Sequence, residues 1–148
     1  MKNMRNLFTI LIAEDDPDDR LIIKDALEEA GVHNVVHYVE DGQELMDYLY
    51  LRGKYSAPNN VSHPGIILLD LNMPKKNGQD ALKEIKSDPK LKRIPVVVMT
   101  TSKRVEDVGI MYDLGANSYI NKPTDFARFV MIVKTLSRYW FEIVELPP

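Results

Sequence analysis

Residues 11–20, LIAEDDPDDR, carry five acidic side chains in ten positions, directly after the apolar run LFTI at 7–10. The run Leu7–Ala13, rich in Ile and Leu, suits a strand covered on both faces. It ends in Glu14, Asp15 and Asp16, where like charges crowd and need an offsetting cation. Asp16 and Pro17 then form a helix start, with Asp as N-cap and Pro at the first helical position. The helix places Ile22, Ile23, Ala26, Leu27 and Ala30 on one face and stops at Gly31. A strand, an acidic turn and an amphipathic helix make one β-α unit, and the fold depends on whether that unit repeats.

It repeats four more times. NVVHYV (34–39) is a strand followed by the helix DGQELMDYLYLRG, with Leu45, Met46, Leu49 and Tyr50 inward and Gly53 as a stop. KYSAPNNVSHPG (54–65) is a long loop by composition. IILLD (66–70) is the third strand, and the turn LNMPKKNG leads into the helix QDALKEIKSD. IPVVVMT (94–100) is the fourth strand, followed by the helix SKRVEDVGIMYDLGA. SYIN (118–121) is the fifth, followed by a helix over PTDFARFVMIVKTLSRYWFEIVEL, capped near Thr124 or Asp125. Strands that alternate with helices imply a parallel sheet with helices on both faces and right-handed crossovers. The expected class is therefore α/β, a flavodoxin-like (βα)5 fold with strand order 2-1-3-4-5.

The chain has 148 residues, which suits a single domain spanning 1–148, with an extended C-terminal helix and tail from about 140. Its formal net charge of −3 argues against a nucleic-acid surface. With no cysteine it has no disulfide framework and no thiolate metal site. No apolar run reaches the roughly 18 residues of a membrane span, and the early apolar run ends in acids, unlike a signal peptide. A cytoplasmic protein without membrane attachment is expected.

In open α/β sheets, ligands bind beyond the carboxyl ends of the strands. Strand one ends there in Glu14, Asp15 and Asp16, and strand three in Asp70. Strand four ends in Thr100, Thr101 and Ser102, and strand five in Asn121, Lys122 and Pro123. Strands one and three are neighbours in the expected order, so Glu14, Asp15 and Asp70 converge. An all-oxygen set without Cys or His suits Mg2+, with Mn2+ as a substitute. Lys122 adds a positive charge and Thr100 a hydroxyl for an anion. Together these groups suit phosphoryl transfer, with Asp70 as nucleophile. Asp16 reads as a cap only, and Asp18 and Asp19 as first-turn acids favoured by the helix dipole. His33, His37 and His63 are scattered, and no glycine-rich phosphate loop follows strand one.

The pieces LIAEDD, ILLDLNMPKKNG, VVVMTTS and YINKP, in this order and spacing, resemble the receiver domain of two-component response regulators. The resemblance spans nearly the whole chain. It implies that Asp70 accepts a phosphoryl group from a histidine kinase or a histidine phosphotransfer protein. Glu14, Asp15, Asp70 and the backbone carbonyl of Asn72 would hold Mg2+. Lys122, Thr100 and the amide of Thr101 would bind the phosphoryl oxygens, and Thr100 with Tyr119 would form the switch. It also implies a cis Lys122–Pro123 bond. Such a domain is a signalling phosphoacceptor and not an enzyme in its own right. A haloacid dehalogenase-type phosphohydrolase would need a second Asp where Asn72 stands. A pseudo-receiver acting without phosphorylation, or a phosphate sink, remains the alternative.

In the closing helix, Phe126, Phe129, Val130, Val133, Leu136 and Trp140 suffice to cover the sheet. Ile132, Tyr139 and Ile143 widen the apolar arc, with Trp140 at its border, which suggests a second surface to bury. This ending, the loop before strand three, LDLNMPKKNG and TTSK resemble the stand-alone response regulators that partner bacterial phytochromes. That implies a light-regulated histidine kinase as phosphodonor. It also implies a homodimer through the face of helix four, strand five and helix five, including the C-terminal tail.

Overall fold

The computed structural model describes residues 8–56, 63–101 and 105–147. Leu7, Ser102, the start expected for the fourth helix and the middle of the 54–65 loop lie outside the described residues. The elements alternate without exception: β1 (Thr9–Ala13), α1 (Pro17–Glu29), β2 (Val36–Val39), α2 (Gly42–Tyr50), β3 (Pro64–Leu69), α3 (Gly78–Ser87), β4 (Val96–Thr100), α4 (Val105–Asp113), β5 (Ser118–Asn121) and α5 (Phe126–Ser137). The strands are parallel in the order β2-β1-β3-β4-β5, as the alternation implies.

Period-two alternation on two covered faces explains why the three central strands, β1, β3 and β4, are nearly all apolar. Leu11, Ala13, Ile67, Leu69, Val96 and Val98 face one way, onto Leu45, Met46 and Leu49 of α2 and Ala81, Leu82 and Ile85 of α3. Ile10, Ile12, Ile66, Leu68, Val97 and Met99 face the other way, onto Ile23, Ala26 and Leu27 of α1 and Phe129, Val130 and Val133 of α5. Full burial of such a side chain stabilises by about 1.5–3 kcal/mol. The sheet is therefore a rigid frame for whatever its strand ends carry.

Asp16 caps α1 by accepting from the Asp18 and Asp19 amides. Gly31, at φ +76°, ends the helix: its amide bonds the Glu28 carbonyl and the Val32 amide bonds the Leu27 carbonyl. This is the paired closure that a left-handed residue permits. Asp125 caps α5.

Two expectations for the last helix are corrected. It runs as an α-helix only to Ser137 and continues as a π-helical turn over Arg138–Ile143. Phe126, its first residue, is 45% exposed and is not part of the sheet cover. Phe129, Val130 and Val133 are buried as expected, Leu136 and Trp140 pack half-buried beside them, and the stripe continues through Ser137 to Phe141. Phe141 packs edge-on against Phe8, with ring centroids 5.1 Å apart.

Candidate functional site

The register of the sheet assembles the site. Ala13 pairs with Leu69, so the next residues, Glu14 and Asp70, emerge side by side. The Asp70 amide bonds the Ala13 carbonyl at 3.1 Å, and the Glu14 amide bonds the Val39 carbonyl at 2.9 Å. On the other side Thr100 pairs with Asn121, and the Lys122 amide bonds the Thr100 carbonyl at 2.8 Å. Four strands thus deliver Glu14, Asp70, Thr100 and Lys122 to one edge. All four are buried.

Glu14, Asp15 and Asp70 each offer a carboxylate oxygen, and these oxygens lie within 4.8 Å of one another. Such a set fits a hard divalent ion, because oxygen donors this close repel unless a cation lies between them. Arg20 braces the site from α1. Its guanidinium donates to the backbone carbonyls of Glu14 at 2.9 Å and Asp15 at 3.2 Å, and meets Glu40 at 3.3 Å. The Asn72 amide donates to Asp70 Oδ1 at 3.2 Å, which orients that carboxylate. The Asn72 side chain lies 3.5 Å from Thr100 Oγ1, a long contact.

Lys122 Nζ is the centre of the charge network. It donates to Glu14 Oε1, to Asp19 Oδ2 at 2.9 Å and to Asp70 Oδ2 at 3.2 Å. Three carboxylates thus share one lysine, and that of Asp15 lies beside two of them. Burial pushes the Glu14 carboxyl up from 4.5 to about 7, and the charge of Asp70 adds to this against the pull of Lys122. Burial works against the Lys122 charge, yet its hydrogen bonds to Glu14 and Asp19 and the nearby Asp70 hold it above the ordinary lysine range.

Glu14, Asp70, Thr100 and Lys122 lie together at this edge, with the Asp15 carboxylate beside those of Glu14 and Asp70. Asn72 lies beside Asp70. Thr101 follows the end of β4 and is exposed. Tyr119 sits on β5 beside Val98 and packs, half-buried, against the α2/α3 side of the core. The expected cis Lys122–Pro123 bond is corrected: among the described residues no peptide bond is cis. Trans is the intrinsically favoured isomer by about 0.5–1 kcal/mol, and Lys122 reaches its carboxylate partners from it. His37, on β2, tilts against Tyr48 with ring centroids 5.6 Å apart, away from this edge.

Sequence reasoning missed Asp19 and Arg20. Both stand in the first turns of α1, where a dipole or surface role accounts for an acid or a base equally well. Only the direction in which α1 leaves the sheet turns them toward Lys122 and the strand-end carbonyls.

Residues 10–134 match the family model of the response regulator receiver domain. The response regulator Rcp1 of Synechocystis is 38% identical over 138 residues, covering 93% of this chain and 92% of Rcp1. The structure of the phosphorylated cyanobacterial phytochrome response regulator RcpA superposes with a TM-score of 0.89 at 44% identity, covering 96% of this chain and 99% of that one. The Mn2+-bound form of Rcp1 superposes at 0.87, covering 95% of this chain and 99% of that one. This chain belongs to the response regulator receiver domain family, and its relatives include phytochrome response regulators of cyanobacteria.

Among the described residues, no helix is long and apolar enough to cross a membrane.

Proposed function

We propose that this chain accepts a phosphoryl group on Asp70, in the presence of Mg2+, from a phytochrome-type histidine kinase or a histidine phosphotransfer protein. The observation that carries the reading is one buried edge on which Asp70 Oδ2 lies 3.2 Å from Lys122 Nζ, within a set of three carboxylates fit for a metal. Glu14, Asp15, Asp70 and the Asn72 carbonyl would hold Mg2+, which supplies neutralisation of the phosphoryl oxygens. The Asp70 carboxylate attacks phosphorus and the donor imidazole leaves. Lys122 neutralises charge on the arriving group, and the buried Thr100 hydroxyl and the Thr101 amide lie at the adjoining strand end to donate to it.

Thr100 turning toward the phosphoryl group vacates space beside β5, and Tyr119 turns inward. That biases the surface formed by α4, β5 and α5. This surface is already apolar: Met131 is 66% exposed, Tyr139 50% and Ile143 59%, beside the half-buried Ile132 and Trp140. We read it, with the C-terminal tail, as the face on which a second copy docks. We read residues 1–148 as one cytoplasmic signalling unit.

Incubation with acetyl phosphate and Mg2+, followed by intact-mass measurement, tests the assignment. One added phosphoryl group is expected, lost with EDTA and abolished in Asp70→Asn. Labelling that survives in Asp70→Asn would remove Asp70 as the acceptor. Sedimentation tests the docking face: Tyr139→Ala and Ile143→Asp weaken the dimer, and a monomer at high concentration refutes it.

A further inference from the structure

A lysine ammonium has three hydrogen-bond donors and no acceptor. Here all three are in use, on Glu14, Asp19 and Asp70. An oxygen of a phosphoryl group on Asp70 must therefore compete with these carboxylates for Lys122. The three do not compete equally. On the reading above, Glu14, 2% exposed, would pass to the metal, and Asp70, 8% exposed, would itself carry the phosphoryl group, so neither competes for Lys122 in the loaded site. The Asp19 side chain is 33% exposed and stands in the first turn of α1. Released, it turns to water and keeps the favourable dipole of the helix N-terminus. Yet at 2.9 Å it lies nearer to Lys122 than Asp70 does at 3.2 Å.

We propose that Asp19 is a placeholder carboxylate: it occupies the valence of Lys122 that a phosphoryl oxygen takes over, and so sets how readily the site accepts that group. The proposal rests on the receiver reading given above. Asp19 acts through Lys122 and is a positioning residue. It keeps the buried ammonium saturated while Asp70 is unmodified, and its release is part of the cost of phosphorylation.

The test uses beryllofluoride, an analogue of the phosphoryl group, with Mg2+ and the full chain. Binding is followed by nuclear magnetic resonance, alongside the initial rate of labelling by acetyl phosphate. A competing half-exposed ion pair is worth up to ~1 kcal/mol, so its removal in Asp19→Asn tightens beryllofluoride by about three- to fivefold. The labelling rate rises in parallel. Asp19→Glu, which keeps a carboxylate, stays near wild type. Asp18→Asn, in the same turn but not among the partners of Lys122, controls for the loss of charge and changes the affinity less than twofold. Affinity in Asp19→Asn that is unchanged or weaker, with wild type binding normally, overturns the placeholder role and leaves the receiver reading intact. An equal gain in Asp18→Asn also overturns it. Failure of the wild type to bind at all overturns the receiver reading itself.

Discussion

Gly78 opens α3 directly beneath Asp70. A Cβ added there would lie 2.4 Å from the Asp70 carbonyl oxygen and 2.7 Å from Leu71 Cα. Both are backbone atoms, so no rotamer change relieves the contact. The start of α3 or the chain from Asp70 to Asn72 must move by the better part of an ångström. Overpacking of this kind costs about 1–3 kcal/mol, and more where the obstacle is rigid. Gly78→Ala is therefore expected to lose about 2–4 kcal/mol, from the upper part of that range to somewhat beyond it. At about 2–4 °C per kcal/mol for a domain of this size, the melting temperature falls by roughly 5–15 °C. Gly109, on the exposed side of α4, has nothing within 4 Å of its virtual Cβ. Gly109→Ala should instead gain about 0.5–1 kcal/mol, because alanine loses less backbone entropy in a helix. Urea unfolding in EDTA reads both variants: the midpoints shift in opposite directions with the slope unchanged. The Gly78 amide also donates to the Leu71 carbonyl at 3.1 Å, so the displacement reaches Asn72 and the carboxylate it orients. Mg2+ affinity in Gly78→Ala should fall even at temperatures where the variant is fully folded. A Gly78→Ala midpoint matching wild type would show that the close approach of α3 to Asp70 does not constrain the site.

Lys122→Met leaves Glu14, Asp19 and Asp70 without their shared cation. Breaking a buried pair from one side costs about 3–5 kcal/mol, so calorimetry in EDTA should show a large loss, and added Mg2+ should recover part of it. Arg20→Lys keeps the charge but loses the planar head whose Nη1 holds the carbonyls of Glu14 and Asp15 while Nη2 meets Glu40; calorimetric titration should show Mg2+ bound several-fold more weakly with little change in stability. The Glu14 carboxyl, raised from 4.5 to about 7, gives a pH dependence of definite sign. A carboxyl raised in the fold contributes stability in full below about 4.5 and loses it as pH rises through about 7. Protons and Mg2+ compete for it, so titrations at pH 6 and pH 8 should show the tighter Mg2+ binding at pH 8. Equal affinity at both would remove Glu14 from the ligand set.

Much of the fold was readable before any coordinates because its signals are local. β1 and β3 are apolar throughout, and only a strand covered on both faces stays so. Asp16–Pro17 marks a helix start by chemistry that acts over a few residues. The acids at 14, 15 and 70 were legible for a related reason: once strands one and three are neighbours, residues one step past their ends must meet. Phe141 was not legible, because Phe126 and Phe141 are the same residue type and only the docking of the last helix on the sheet selects between them. The trans Lys122–Pro123 bond was equally hidden, since the two isomers differ by about 0.5–1 kcal/mol and surroundings decide between them.

The amino-acid sequence alone determined the parallel sheet, its strand order and the four strand ends that carry Glu14, Asp70, Thr100 and Lys122. Periodicity and capping are properties of neighbouring residues and need no third dimension. Only the tertiary structure decided how Lys122 distributes its three donors, that Asp19 takes one of them, and that Arg20 clamps the backbone carbonyls of Glu14 and Asp15. Those contacts join residues of α1 to β1 and to a strand about a hundred positions away. Their formation depends on the angle at which α1 leaves the sheet and on the reach of long side chains, neither of which has a signature in the order of residues.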